Sequence, residues 1–155
     1  MMFLQTGLQA GGLSGQQQEW LRAAERHERA GWTYLHVEGG PRERGFQHGY
    51  LLAKEIAECL RVARAKWRHD SSMEWSWLIA NTKRFIEPGI DPEDRAELQG
   101  IVEGMTAAGV PMTYDEIVTY NAEIKLTWYW WPLASKTLTD GIDVVKKPSS
   151  LLNYG

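Results

Sequence analysis

The sequence predicts a mostly helical α+β chain that folds as one domain. Apolar residues recur at helical spacing through most of the chain, and capping signals mark the start of several helices. One segment, 32–38, has the aromatic and β-branched content of a strand. A length of 155 residues suits one compact domain, and the sequence contains no internal repeat and no second domain boundary.

The N-terminal part is expected to pass from a loose segment into a helix and then a strand. Residues 1–15 are rich in Gly and Gln and predict a flexible leader. The body of the chain, 16–131, begins with a charged, Ala-rich stretch at 16–30 that predicts a surface helix stopped by Gly31. The strand at 32–38 follows, and the next three residues, Gly-Gly-Pro, break it sharply.

Two helical segments come next. Apolar spacing predicts one helix from about 43 to 68 and a second at 73–86. Gly45 and Gly49 lie one turn apart on the first helix, where we expect them to allow close packing against the strand. Cys59 falls within an apolar stretch of the same helix and is predicted to be a small buried side chain.

The next helix is predicted to begin at Asp91, because an N-cap acid precedes a proline and two more acids. Its buried stripe is predicted as Leu98, Ile101, Val102, Met105 and Ala108. Gly100 and Gly104 lie one turn apart on this helix. They lower its stability unless another backbone packs against them.

A capping box, Thr113 with Glu116, opens the last predicted helix. Its buried face is predicted as Ile117, Tyr120, Asn121 and Ile124. An aromatic cluster follows, and the tail at 132–155 shows little periodicity.

Composition excludes several classes of function. The net charge of −3 lacks the basic excess of nucleic-acid binders, so we expect no nucleic-acid partner. No apolar run approaches the roughly 20 residues that span a bilayer, so we expect a soluble chain without a transmembrane segment. Cys59 is the only cysteine, which excludes an internal disulfide and leaves the cellular compartment open.

Common catalytic motifs are missing from the sequence. It contains no H-E-x-x-H, no P-loop, no G-x-S-x-G and no cysteine pair. His27, His36, His48 and His69 are not spaced as a ligand pair on one helix face, and we interpret each as a surface or hydrogen-bonded histidine. We therefore expect no metal, no cofactor and no covalent mechanism carried by this chain alone.

Three blocks, in this order and spacing, resemble one family. Residues Gly39–Gly49 match its "G-x-P-x-x-x-G-x-Q-x-G" opening, Glu97–Gly104 match its "E-L-x-G-I-x-x-G" helix, and Tyr114–Ala122 match its "x-E-I-x-x-x-N-A" helix. The chain thus resembles the N-terminal part of the self-processing acyltransferase and phospholipase B-like group. This group includes acyl-coenzyme A:6-aminopenicillanic acid acyltransferase and belongs to the N-terminal-nucleophile hydrolases.

The resemblance implies a two-chain enzyme with an αββα sandwich, of which this chain is the mostly helical α subunit with one or two strands. Such precursors cut themselves before a cysteine, commonly after glycine, and the freed amine then acts as base for the thiol. We expect Gly155 to be the autocleavage residue and the nucleophile to be the first residue after it, on a β subunit from the same precursor. The alternative is a chain truncated at an arbitrary glycine.

Substrate-binding residues are expected on the last helix and just after it. Our candidates are Tyr120, Asn121, Trp128, Trp130 and Trp131, facing a bulky or long-chain acyl amide. Asn121 has an equally plausible structural role in tying a neighbouring loop. The tryptophans, which depart from the family pattern, could instead pack in the core or at the subunit interface.

The predicted function is that of an amide hydrolase or acyltransferase acting on acyl–nitrogen bonds through a thioester. A phospholipase B-like esterase on the same scaffold is the first alternative, and a non-catalytic helical binding module is the second. Arg42 and Glu43 could support catalysis, although we favour a surface ion pair between them. Arg61, Arg64 and Arg68 are interpreted as a solvated helix face rather than an anion site.

Overall fold

The structure, a computed structural model, describes residues 12–71 and 73–130, with side chains as far as Trp128. Its elements in chain order are α1 (Gly15–Arg22), β1 (Glu25–Arg29), β2 (Trp32–His36), α2 (Pro41–Leu51), α3 (Ala53–Ser71), α4 (Trp75–Phe85), a 3-10 turn (Glu87–Gly89), α5 (Pro92–Ala107), α6 (Tyr114–Ile124) and a π-helical turn (Lys125–Trp130). The described chain is mostly helical with one two-stranded antiparallel sheet, which confirms the α+β prediction. The tail predicted at 132–155 lies outside the described residues.

The helix predicted at 16–30 is wrong in its second half. α1 ends at Arg22, and β1 then pairs antiparallel with β2 from Glu25–His36 to Arg29–Trp32. The turn that joins them places Ala30 and Gly31 at φ values of 51° and 80°. This left-handed turn matches the twist of a hairpin, and strand pairing satisfies backbone groups that a helix would otherwise have paired internally.

The single helix predicted from about 43 to 68 is two helices, separated at Leu52. The break has a packing cause, because the two helices face different partners. α2 lies along α5, whereas α3 turns toward α4 and the apolar cluster around Leu60 and Trp67. Cys59 is exposed rather than buried, because the inward stripe of α3 runs through Ala53, Leu60 and Trp67 and leaves position 59 to one side.

The α2–α5 crossing is the most extensive contact between helices of the described chain. Gly45 and Gly49 face the backbone carbonyls of Glu97 and Ile101, while Gly100 and Gly104 face those of Arg42 and Phe46. A Cβ atom at any of the four glycines would overlap with the opposite backbone. The prediction that Gly45 and Gly49 pack on the strand is therefore wrong, and the requirement that Gly100 and Gly104 meet another backbone is confirmed.

Apolar side chains form two adjoining clusters. One is centred on α3, α4 and α6, with Leu60, Trp67, Leu78, Ala122 and Leu126 buried. The other joins α5 to α3 and α6, and Ile101, Met105 and Ile117 are buried there with Leu98, Val102 and Ala108 packed around them. The predicted stripe of α5 is thus confirmed. Within the described ranges, no helix is long and apolar enough to cross a membrane.

α6 begins as predicted, but its buried face is rotated. The Thr113–Glu116 capping box is present, with both reciprocal hydrogen bonds formed. Ile117 is buried and Tyr120 half-buried, whereas Asn121 and Ile124 are exposed. The buried residues of α6 are Ile117, Val118, Thr119 and Ala122. α4 packs against α6, and Ala122 lies in the same apolar cluster as Leu78 of α4.

Surface charges pair mostly between elements. Arg42 bonds Glu103 of α5 through Nε at 3.1 Å, not the adjacent Glu43, because neighbouring residues of a helix point in different directions. Arg61, Arg64 and Arg68 bond Glu58, Glu116 and Glu74. Arg61 and Arg68 are exposed, as predicted for a solvated face, whereas Arg64 is half-buried against α6.

Candidate functional site

A cleft of about 350 Å³ opens between α2, α5 and α6, next to the turn after α4. Both helices of the α5–α6 hairpin contribute residues at i, i+3, i+4 and i+7 spacing, which places each set on one helix face. The lining residues are His48 of α2, Ile86 and Ile90 around the 3-10 turn, Asp94, Glu97, Leu98 and Ile101 of α5, and Val118, Asn121, Ala122 and Lys125 of α6 and its extension. The volume is that of a small-molecule site.

All three sequence blocks reach this cleft. The first block is the start of α2 and supplies His48, the second lies within α5 and supplies Glu97, and the third forms α6 and supplies Asn121. The glycines of the first two blocks bring α2 and α5 into backbone contact. This close approach holds His48 and Glu97 on the same side of the cleft, although the two residues lie far apart in the sequence.

His48 is the one histidine among the described residues that lines the cleft. Burial lowers the pKa of His48, and the carboxylate of Glu97 opposes this shift. The imidazole is therefore neutral at neutral pH and can offer one donor and one acceptor. The other three histidines are exposed, with His36 3.1 Å from Glu38 and His69 2.9 Å from Asp70, as predicted for surface histidines.

Glu97 is held by Arg44 from α2. The guanidinium lies 3.1 Å from the Glu97 carboxylate and 3.2 Å from that of Glu93, and it also donates to the Gly39 carbonyl at 2.9 Å. Both carboxylates raise the pKa of Arg44, and the hydrogen bond that Arg44 donates to Glu93 contributes most. Glu97 thus enters the cleft with its charge already balanced and its side chain oriented.

Asn121 lies on the rim of the cleft and is exposed, so its expected burial is wrong. Its Nδ2 donates to the Ile117 carbonyl one turn earlier at 2.9 Å. Within the described part of the chain, no hydrogen bond to its Oδ1 is formed. The bond to its own helix fixes the amide, and the remaining oxygen is an available acceptor at the cleft.

Tyr120 does not line the cleft. It packs against the cluster around Leu60 and Trp67, on the side of α6 that faces α3. Burial raises the pKa of Tyr120, and the neighbouring Cys59 adds to the shift. The prediction that Tyr120 contacts substrate therefore has no support from the shape of the cleft.

Trp128 is 70% exposed and is not among the residues that line the cleft. It follows Ile124, which is 63% exposed, by one helical turn. The side chain of Trp130 lies outside the described residues, as do Trp131 and the proposed cleavage residue Gly155.

The cleft combines an apolar floor with a polar rim, an arrangement suited to binding and orienting a small molecule. None of the described lining residues is a serine, threonine or cysteine, so this part of the chain presents no hydroxyl or thiol nucleophile to the cleft. Within 12–71 and 73–130, no group of His, Cys, Asp or Glu is arranged to hold a metal ion. Asp94, Glu97 and Lys125 were not predicted as site residues from the sequence. The signal that could have identified them is their i, i+3, i+4 and i+7 spacing with the other lining residues of α5 and α6.

Comparisons with protein-family models, with curated proteins and with solved structures found no match to this chain.

Proposed function

We propose that this chain is the helical α subunit of a self-processing N-terminal-nucleophile hydrolase or acyltransferase that acts on acyl–nitrogen bonds. A β subunit from the same precursor would carry the catalytic cysteine. The complete enzyme would be an αββα sandwich, to which this chain adds helices and a hairpin.

One observation carries the proposal: the three blocks that resemble the family line a single cleft. His48, Glu97 and Asn121 come from separate blocks, and the interlocked glycines of α2 and α5 bring the first two blocks together. If each block resembled the family only by chance, there would be no reason for the three blocks to line the same cleft.

The hairpin gives secondary support. Trp32 is 72% exposed and Tyr34 is 48% exposed on the described chain, and both strands are exposed along most of their length. A two-stranded hairpin is marginally stable by itself. A second subunit packed over Trp32 and Tyr34 would remove these aromatic side chains from water and stabilise the hairpin.

In the proposed reaction, the thiolate of the β subunit attacks the acyl carbonyl, and the terminal amine takes the thiol proton. The C–N bond then breaks, the protonated amine leaves, and a thioester forms. Water releases the acid, or a second amine takes the acyl group. This chain contributes binding and orientation, for which the neutral His48 and the Asn121 oxygen supply hydrogen-bonding groups.

A non-catalytic binding module is the alternative with an observation in its favour. Ile124 and Trp128 form an exposed apolar pair one turn apart, as a docking helix would present. The phospholipase B-like esterase shares the scaffold and differs only in the bond that it cleaves.

Expression of the complete gene tests the proposal. We expect denaturing mass spectrometry to show two chains, and the purified protein to hydrolyse acyl amides faster than the matched acyl esters. Iodoacetamide should abolish this activity by alkylating the β-subunit cysteine. Because Cys59 is exposed, the assay needs a Cys59→Ser control that remains sensitive to the reagent. A single chain without hydrolytic activity contradicts the enzyme and favours the binding module, and faster ester cleavage favours the esterase.

A further inference from the structure

The floor of the cleft is apolar and is not filled by the described chain. Ile86, Ile90 and Leu98 are half-buried around it, and Ile101 and Val118 close its deeper end. Apolar walls around an open space favour an apolar occupant, because filling the space removes both surfaces from water.

The charged groups on the rim are balanced. Asp94 on α5 and Lys125 after α6 line the same cleft with opposite charges, and Glu97 is paired with Arg44 at 3.1 Å. The rim therefore has no net positive charge that would compensate a carboxylate ligand for its lost hydration. A neutral polar group avoids this cost, and an amide offers both a donor and an acceptor to the Asn121 oxygen and to His48.

The volume of the cleft suits a small ligand. About 350 Å³ lies near the lower end of the roughly 300–1,000 Å³ of small-molecule sites. An acyl amide with a chain of about eight carbons belongs to this class of ligand.

We propose that the cleft is a binding site for a neutral, medium-chain acyl amide, with the acyl chain on the floor of Ile86, Ile90, Leu98, Ile101 and Val118, and the amide group at Asn121 and His48. This site lies in the α subunit and does not involve the tryptophan cluster. Its role as the acyl subsite of the enzyme rests on the proposed function, whereas binding can be measured without catalysis.

Binding of octanamide to the purified 155-residue chain tests the site. We expect saturable shifts of the methyl NMR signals of Ile86, Ile90 and Ile101. Acetamide lacks six methylene groups and should bind at least about a hundredfold more weakly. Octanoate, with the same chain and a negative head, should bind about tenfold more weakly.

Two variants locate the ligand. Leu98→Phe fills the floor and should abolish binding, while Val62→Phe makes the same kind of change at an exposed position of α3 and should leave binding unchanged. Asn121→Leu is on the exposed rim, so it tests the amide contact even if Leu98→Phe fails to fold. It should weaken octanamide binding more than octanoate binding and so reduce the preference for the amide.

The site is excluded if octanamide causes no saturable shift of the cleft methyl groups, or if Leu98→Phe folds and binds normally. Tighter binding of octanoate than of octanamide contradicts the neutral head group. If the two-chain protein cleaves acyl amides but the cleft binds none, this inference fails and the proposed function stands. If the cleft binds octanamide but no hydrolysis or second chain is found, the proposed function fails and the site stands.

Discussion

Gly104 of α5 lies so close to Gly49 of α2 that a Cβ atom on Gly104 would be 3.0 Å from the Gly49 carbonyl carbon and would overlap with the Phe46 carbonyl oxygen. Glycine is unfavourable inside a helix by roughly 1 kcal/mol relative to alanine. Here that loss is offset by the contact, since two backbones can approach only where side chains are missing.

Gly104→Ala is therefore expected to destabilise the fold by about 1–3 kcal/mol, because the added methyl group overpacks a rigid crossing. Urea denaturation measures the change. Gly15→Ala is the matched control, since Gly15 is also helical but has open space around it. We expect the control to be neutral or slightly stabilising, and equal effects at both positions would contradict the backbone contact.

A second prediction concerns Gln47, which is fully buried on α2. Its Oε1 accepts from the Glu38 amide at 2.9 Å and its Nε2 donates to the Trp20 carbonyl at 2.7 Å, so one side chain holds both the exit of the hairpin and the end of α1. Gln47→Leu should cost about 2 kcal/mol, because the Glu38 amide loses its partner and the Trp20 carbonyl keeps only its bond from the Ala23 amide.

Hydrogen exchange gives the sharper measurement for Gln47. Amide protection should fall in α1 and the hairpin and stay high in α5. Gln99→Leu, at an exposed position of α5, should change neither. Uniform loss of protection in the Gln47 variant would show that the residue supports the whole fold rather than these two attachments.

The pH dependence of stability provides a third prediction. Burial lowers the pKa of His48 in the folded chain below its ordinary value of about 6.5. As the pH falls below 6.5, the unfolded chain therefore binds a proton at His48 before the folded chain does. Stability contributed by the neutral imidazole is present above pH 6.5 and is lost as the pH falls from there through the lower folded-state pKa. Urea midpoints measured between pH 7.5 and 5 should decline less steeply for His48→Gln than for the original chain.

His69→Gln is the control for this comparison, because the His69 side chain is 87% exposed. It should keep the original slope.

A fourth prediction concerns Arg44. Arg44→Met removes the cation that balances Glu97, so the Glu97 charge should then raise the pKa of His48. Titration of the His48 ring signals by NMR measures it, and an unchanged value would show that Glu97 is too far away to act.

The sequence allowed the helices with strong start signals to be predicted. Asp91 with Pro92 and the Thr113–Glu116 box mark their helices correctly, since capping is local chemistry that depends on residues three apart. The strand β1 was missed because the charged sequence of Glu25–Arg29 has no apolar alternation. Only its pairing with β2 makes it a strand.

The site was harder to predict than the helices. Asn121 was identified, but for the wrong reason, since it lies on a rim rather than in a buried face. His48 and Glu97 meet because four glycines let α2 and α5 cross at short distance, and sequence spacing does not report which two helices cross. The glycine pairs did indicate a close contact, but not the partner.

The last prediction concerns Trp128. Its side chain is 70% exposed, so removing it takes little apolar surface out of the described fold, and Trp128→Ala should change the free energy of unfolding by less than about 0.5 kcal/mol. Under the proposed function, Trp128 and Ile124 are free to face the second subunit, and an aromatic anchor at an interface commonly accounts for 2 kcal/mol or more of binding.

Trp128→Ala should then weaken association of the two chains by roughly thirtyfold or more. Analytical ultracentrifugation measures this change. Val62→Ala, at another exposed apolar position, is the control and should leave association unchanged. A stable Trp128→Ala chain with unchanged association would show that this face binds something other than the proposed subunit. A large loss of stability would instead show that Trp128 packs against a part of the chain outside the described residues.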